Sequence, residues 1–155
     1  MKKRLLVLFL GNILRGDDGV GIELLKRLST REFPKNVVLQ EGSTGGMILL
    51  GLMDDYDSVI VVDAMDSPNY EGDFAIFNPS YISDSEESEL SLHSISIKDI
   101  VRFNEAIGGR VPQIRIFGIR IYDTGEHIGL SAKLSERLPS LMERLYQFIC
   151  ETAAE

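Results

Sequence analysis

LLVLFLGNILRGDDGVG, residues 5–21, is the stretch that decides the fold of this chain. It opens with an apolar run that ends at Gly11 and Asn12, and a short loop then leads to the acidic pair Asp17 and Asp18. An apolar run bounded by glycine predicts a strand that is buried on both faces. The stretch therefore places acidic side chains at the carboxyl end of a buried strand, where open α/β sheets bind ligands.

Further apolar segments predict four more strands, at residues 37–40, 58–63, 73–77 and 113–119, after a first strand at 3–10. About ten residues connect the third and fourth strands, which is short for a parallel crossover, so the fourth strand is predicted to be antiparallel. The order β-α-β-α-β-β-α-β-α predicts a single α/β domain over residues 1–155, with a mostly parallel sheet and helices on both faces.

Helical patterns fill the segments between these strands. The first helix is capped by Asp17 or Asp18 and runs to Leu28, and a second begins at Ser43 or Thr44. A third covers residues 95–107, and a long amphipathic helix runs from Ser131 or Ala132 to about Cys150, with the cysteine in the core. Pro139 predicts a kink in this last helix or the start of a second segment. Residues 79–91 are polar and acidic and predict a mobile loop.

Charge and composition exclude some classes of function. The net charge of −8 argues against nucleic-acid binding, and no apolar run approaches the roughly 20 residues of a membrane span. Residues 36–97 contain no lysine or arginine but hold 12 of the 24 acidic residues. This window is either a solvated acidic face or a region that attracts a cation or a basic segment. The single Cys150 excludes an internal disulfide, and the expected location is the cytoplasm.

Three polar positions are predicted to converge at one edge of the sheet. Asp17 and Asp18 follow the first strand, Asp63 ends the third, and His93 closes the acidic loop before a helix. Carboxylates and one imidazole suit a divalent transition metal, with coordination positions left open for substrate or water. Each residue also has a structural interpretation, since acidic pairs cap helices and most single histidines are not ligands. The other histidine, His127, is interpreted as structural.

These motifs, taken in order, give the chain a family resemblance. GNILRGDDGVG at 11–21 is followed by EGSTGGM at 41–47, VVDAMD at 61–66, LSLH at 90–93, GIRI at 118–121 and GLS at 129–131. The chain resembles the nickel-iron hydrogenase maturation endopeptidases. The resemblance implies a three-layer α/β/α sandwich whose five-stranded sheet has one antiparallel strand. It also implies a metal-binding cleft formed by Asp18, Asp63 and His93.

The resemblance implies a function as well. Enzymes of this family remove a C-terminal extension from the hydrogenase large subunit after nickel insertion, so the expected partner is that precursor, and the nickel arrives with it. Asp18 or Asp63 would activate a water as general base, or the metal would polarise the carbonyl. The glycine-rich turn after the second strand would let a peptide approach closely, and the expected substrate contacts are Glu41, Gly42, Thr44 and Gly45.

Two alternatives come from other classes of protein. A nickel-binding maturation chaperone would use the same side chains without cleaving the precursor. A receiver-type signalling domain also carries an acidic pair after its first strand and an aspartate after its third. It requires a lysine after the fifth strand, where this chain has Arg120. A peptidyl-tRNA hydrolase shares the glycine and asparagine after the first strand, but the acidic composition argues against a tRNA substrate.

Overall fold

A computed structural model describes residues 3–43, 51–65, 72–79 and 94–155 of the chain. The strands and helices alternate along most of this sequence. The strands are β1 (Leu5–Leu10), β2 (Val37–Ser43), β3 (Ser58–Met65), β4 (Phe74–Phe77) and β5 (Gln113–Arg120), and the helices are α1 (Val20–Leu28), α2 (Ser94–Ala106) and α3 (Ala132–Ala153). Each of the five predicted strands is present, with bounds that differ from the prediction by a few residues.

The five strands form one sheet in the order β2-β1-β3-β5-β4. The pairs β1–β2, β1–β3 and β3–β5 are parallel, and β4 pairs with β5 in the antiparallel direction. The predicted five-stranded sheet with one antiparallel strand is therefore confirmed. Phe9 of β1 is level with Val62 of β3, so Asp63 stands at the carboxyl edge beside the end of β1.

Two separate cores cover the two faces of the sheet. On one face, Val7, Phe9 and Val62 are buried together with side chains of α1 and α3. On the other face, Leu8 and Val61 are buried together with Ile100 of α2. Strand β1 is buried over its whole length and has no polar face. This is expected of a central strand that helices cover on both sides. This arrangement is the predicted three-layer α/β/α sandwich.

Helix α3 runs through Pro139 as one continuous element, so the alternative of a second segment beginning there is wrong. A proline cannot donate a hydrogen bond to the carbonyl of Ser135, one turn earlier. Burial compensates for the missing bond, because the helix packs against the sheet through a continuous apolar stripe of Leu134, Leu138, Leu141, Leu145 and Ile149. Cys150 is a free thiol that is half-buried, not enclosed in the core as predicted.

Some predictions fall outside the described residues. They concern most of the helix expected after Ser43, the loop expected over residues 79–91 from residue 80 onward, and the residues Thr44, Gly45 and His93. Met53, expected near the end of that helix, belongs to a short 3-10 helix at Met53–Asp55. Within the described parts of the chain, no helix is long and apolar enough to cross a membrane.

Gly21 sets how closely α1 approaches the sheet. A Cβ atom at this position would lie well inside van der Waals contact of the Leu10 carbonyl oxygen and 3.4 Å from that of Val62. The first turn of α1 therefore lies directly on the carboxyl ends of β1 and β3. Only a residue without a side chain permits this contact.

We expect Gly21→Ala to destabilise the protein by about 3 kcal/mol, because the added methyl group must push the helix off the two strand ends. In an ordinary helix interior the same change stabilises by roughly 0.5–1 kcal/mol. Urea denaturation measures the difference, and Lys26→Ala, at an exposed position of the same helix, is the control. A Gly21→Ala variant as stable as the wild type would contradict the close packing of α1.

Candidate active site

Asp63 lies near the end of β3 and is fully buried. Its Oδ1 accepts a hydrogen bond of 2.9 Å from the backbone N–H of Ala64. The strand continues to Met65, two residues further than the predicted end, so Asp63 is part of the sheet and not of a loop. Strand geometry therefore fixes its backbone, and full burial restricts its side chain.

Asp18 lies in a 3-10 turn, Gly16–Gly19, that connects the loop after β1 to helix α1. Its side chain is almost fully buried, and Oδ2 accepts a hydrogen bond of 3.1 Å from the backbone N–H of Asn12. Asn12 also folds the loop itself, because its Oδ1 accepts a hydrogen bond of 3.0 Å from the N–H of Leu14. The glycine-asparagine motif therefore builds the loop that holds Asp18.

The structure brings Asp18 and Asp63 to the same edge of the sheet. The turn that carries Asp18 contacts β3, which carries Asp63, and α1 begins directly over the ends of both strands. Burial of a carboxylate is costly unless other groups compensate its charge. Two buried carboxylates on adjacent elements form the kind of site that favours a cation.

Asp17 has a different role from the predicted one. Neither the 3-10 turn nor α1 receives a side-chain cap, so the expectation that Asp17 or Asp18 caps the helix is wrong. The Asp17 carboxylate is fully buried and accepts four hydrogen bonds from the segment that precedes α3. The donors are the N–H groups of Tyr122, Asp123 and Ser131, at 2.9, 3.0 and 2.7 Å, and the Ser131 hydroxyl, at 2.9 Å.

Backbone hydrogen bonds add to this attachment. The N–H of Gly16 donates to the His127 carbonyl at 2.8 Å, and the N–H of Asp17 donates to the Asp123 carbonyl at 2.7 Å. Gly16 has a φ angle of +53°, and a Cβ there would lie 2.7 Å from the Asp123 carbonyl oxygen. Residues 122–131, hereafter the strap, are thus joined to the turn that carries Asp18.

Sequence reasoning missed the strap as part of the site. Ser131 both donates to Asp17 and caps α3, accepting a hydrogen bond of 3.2 Å from the N–H of Leu134. The signal was available in the pattern Gly129-Leu130-Ser131, which ends where a helical pattern begins. The sequence did not reveal that this cap also contacts an aspartate 114 residues away.

His127 and Asp123 form an exposed ion pair within the strap, with 2.8 Å between Nε2 and Oδ2. The hydrogen bond to the Asp123 carboxylate raises the pKa of His127 above its ordinary value of 6.5. The N–H of Gly125, and then the His127 ring, lower the pKa of Asp123 below 3.8. These contacts agree with the structural interpretation of His127.

The predicted substrate contacts are only partly covered by the structure. Glu41 is exposed and lines a groove of about 620 Å³ that lies beside the turn of Asp18. A Cβ at Gly42 would lie 2.6 Å from Cδ2 of Leu10 and 2.8 Å from Cδ1 of Leu8. The packing of β1 side chains therefore accounts for this glycine without a ligand. The roles of Thr44 and Gly45 stay predictions.

Asp18 and Asp63 are two of the three metal ligands that the family resemblance implies. Among the residues that the structure describes, no group of three histidine, cysteine, aspartate or glutamate side chains is placed to hold a metal ion. The third expected ligand, His93, lies outside those residues. Asp18 and Asp63 thus account for two of the three expected ligands, and the role of His93 stays a prediction.

We expect Asp17→Asn to destabilise the protein by about 3 kcal/mol. The side-chain NH₂ of asparagine is a donor, and it would face a backbone N–H or hydroxyl donor of the strap where the carboxylate oxygen now accepts. Ser131→Ala should cost about 1–2 kcal/mol, since it removes one of these bonds and the cap of α3. Denaturation in urea measures both variants, with Asp54→Asn, an exposed aspartate, as the control. Equal stability of Asp17→Asn and the wild type would refute the anchoring role.

The ion pair of the strap predicts a pH-dependent stability. The raised pKa of His127 stabilises the fold below about pH 6.5 and loses this effect as pH rises through the raised value, while the lowered pKa of Asp123 contributes above about pH 3.8. The deficit in Tm of His127→Gln relative to the wild type should therefore be largest at about pH 5 and smallest at about pH 9. A deficit that is the same at both pH values would contradict this role.

Comparison with known proteins agrees with the fold and with the resemblance. Residues 22–148 match the family described as hydrogenase maturation protease. The hydrogenase 2 maturation protease of Escherichia coli K12 is 27% identical over 154 residues, which cover 98% of this chain and 94% of that protein.

Solved structures match over almost the whole chain. The hydrogenase maturating endopeptidase HybD from E. coli matches with a TM-score of 0.79 and 26% identity, over 96% of this chain and 93% of that one. The maturation protease HybD from Thermococcus kodakarensis has the same fold, with a TM-score of 0.75 and 23% identity over 94% of this chain and 99% of that one. The receiver-domain alternative does not hold, because β4 is antiparallel. From the family match and the agreement in fold, we conclude that this chain belongs to the hydrogenase maturation protease family.

Proposed function

We propose that the protein is a cytoplasmic endopeptidase that removes the C-terminal extension of a nickel-loaded hydrogenase large-subunit precursor. The observation that carries this proposal is the pair of buried carboxylates, Asp18 and Asp63, at the carboxyl edge of two adjacent parallel strands. Docking of the precursor at this edge would bring the peptide bond that is cut to the two acidic groups.

The donor set fits a nickel ion that arrives with the substrate. Carboxylate oxygens and an imidazole nitrogen are acceptable ligands for divalent first-row metals. We propose that Asp18, Asp63 and His93 bind the nickel already held by the precursor and so recognise a subunit that has received its metal. The two carboxylates supply negative charge in a buried setting, where its attraction for a cation is little screened by solvent.

Hydrolysis consumes one water and yields a new carboxylate and a new amine, so the site must activate water or the carbonyl. One route uses Asp18 or Asp63 as the general base that takes a proton from the water. The other uses the metal to polarise the scissile carbonyl. Ser131 is assigned to the fold, because its hydroxyl joins the strap to Asp17 and caps α3 through the N–H of Leu134.

A cleavage assay with purified components tests the proposal. The nickel-loaded large-subunit precursor from the same organism should lose its C-terminal extension when incubated with the protein, and the nickel-free precursor should stay intact. Mass spectrometry of the products measures the loss and identifies the cleaved bond. An uncut precursor in both states would refute the endopeptidase. If the loaded precursor bound the protein without being cut, the nickel-binding chaperone would be the better assignment.

Site variants test the assignment of residues. We expect Asp18→Asn, Asp63→Asn and His93→Ala each to lower the cleavage rate at least about a hundredfold, since each removes a charge or a ligand at the reacting edge. Asp54→Asn is the matched control, because it makes the same chemical change at an exposed position. Circular dichroism checks that the variants are folded. Normal cleavage by folded Asp18→Asn and Asp63→Asn would show that the site lies elsewhere.

A further inference from the structure

Large apolar side chains are exposed on the two loops beside the candidate active site. Ile13 is 50% exposed and Leu14 58% exposed in the loop after β1, and Ile128 is 74% exposed in the strap. They are three of the six large hydrophobic residues exposed among those that the structure describes; the others are Ile76, Phe103 and Ile107. Clusters of solvent-exposed apolar side chains mark interaction surfaces more often than single exposed apolar residues do.

Hydrogen bonds hold these apolar side chains in place. The Asn12 side chain accepts from the N–H of Leu14, and the carbonyl of His127, next to Ile128, accepts from the N–H of Gly16. The strap is further fixed by its hydrogen bonds to the buried Asp17 carboxylate. Tertiary hydrogen bonds therefore hold both loops, and the exposure of Ile13 and Ile128 is a fixed feature of the fold.

Ile13 and Ile128 line the same groove, whose volume of about 620 Å³ lies within the range of roughly 300–1,000 Å³ that is typical of ligand sites. The turn that carries Asp18 contributes Gly16 and Gly19 to its lining. The apolar Ile22, Leu130 and Leu138 also line the groove, and the charged Glu23, Lys26 and Arg27 of α1 border it. The groove is thus continuous with the turn that holds the candidate catalytic carboxylate.

We infer that this groove binds an extended, apolar stretch of the precursor polypeptide next to the bond that is cut. The inference rests on the proposed function, because a peptide bond delivered to Asp18 must bring its flanking residues across the adjoining turn. Ile13 and Ile128 would bury their exposed surface against apolar side chains of that stretch. The contact contributes affinity and register, and no groove side chain takes part in the chemical step.

Kinetics of precursor cleavage test the inference. Ile128→Ser and Ile13→Ser should each raise KM about tenfold, the loss expected when one aliphatic side chain leaves a buried contact, while kcat stays within about twofold of the wild type. The matched control is Ile107→Ser, which removes the same side chain from a position that is 64% exposed after α2. It should leave both constants unchanged. Thermal melting should show wild-type stability for all three variants, since each residue is exposed.

The outcomes separate this inference from the proposed function. Unchanged KM in both groove variants, with a wild type that cleaves the precursor, would overturn the inference and leave the endopeptidase intact. If the wild type does not cleave, calorimetric binding of the loaded precursor decides. Weaker binding by Ile128→Ser than by Ile107→Ser would support the groove, and equal binding would reject it. Sedimentation checks a last possibility. If the wild type and Ile107→Ser were dimers and Ile128→Ser a monomer, the surface would bind a second copy of the chain, which would overturn the inference.

Discussion

The buried carboxylate of Asp17 joins the turn after β1 to the strap that precedes α3, and the rest of the site depends on this connection. Four hydrogen bonds from three residues of the strap converge on its two oxygens. A carboxylate is suited to this position because it accepts from several donors and donates to none. The same network positions the turn of Asp18, the cap of α3 and the exposed Ile128, so one buried side chain connects three parts of the molecule.

Asp17 and Asp18 show how neighbouring residues of identical chemistry acquire different roles. The Asp17 carboxylate accepts hydrogen bonds from N–H groups of the strap, so the fold itself explains why an aspartate is needed at this position. Asp18 lies on the turn that contacts β3, where Asp63 is also buried. The hydrogen bonds of Asp17 assign that residue to the fold, so within the pair we propose Asp18 as the ligand.

Much of the fold was predictable because local signals and burial agree. The apolar runs of β1 and β3 can only be central strands, and the short connection before β4 indicated its antiparallel direction. Tertiary packing overrides local preferences at two places. The buried leucines of α3 keep the helix in one segment through Pro139, while the kink expected there stays a prediction. Asp17, which local rules assign to a helix cap, accepts its hydrogen bonds from the strap instead.

The sequence by itself determined the sheet, the family and the acidic residues at the carboxyl edge, because strand periodicity and motif order are properties of the chain. Only the tertiary structure decided which aspartate anchors the fold, since the donors to Asp17 come from residues more than 100 positions away. It also decided that Ile13 and Ile128 border one groove beside Asp18. Hydropathy alone assigns such isoleucines to a core, and their exposure follows from the hydrogen bonds that hold the two loops together.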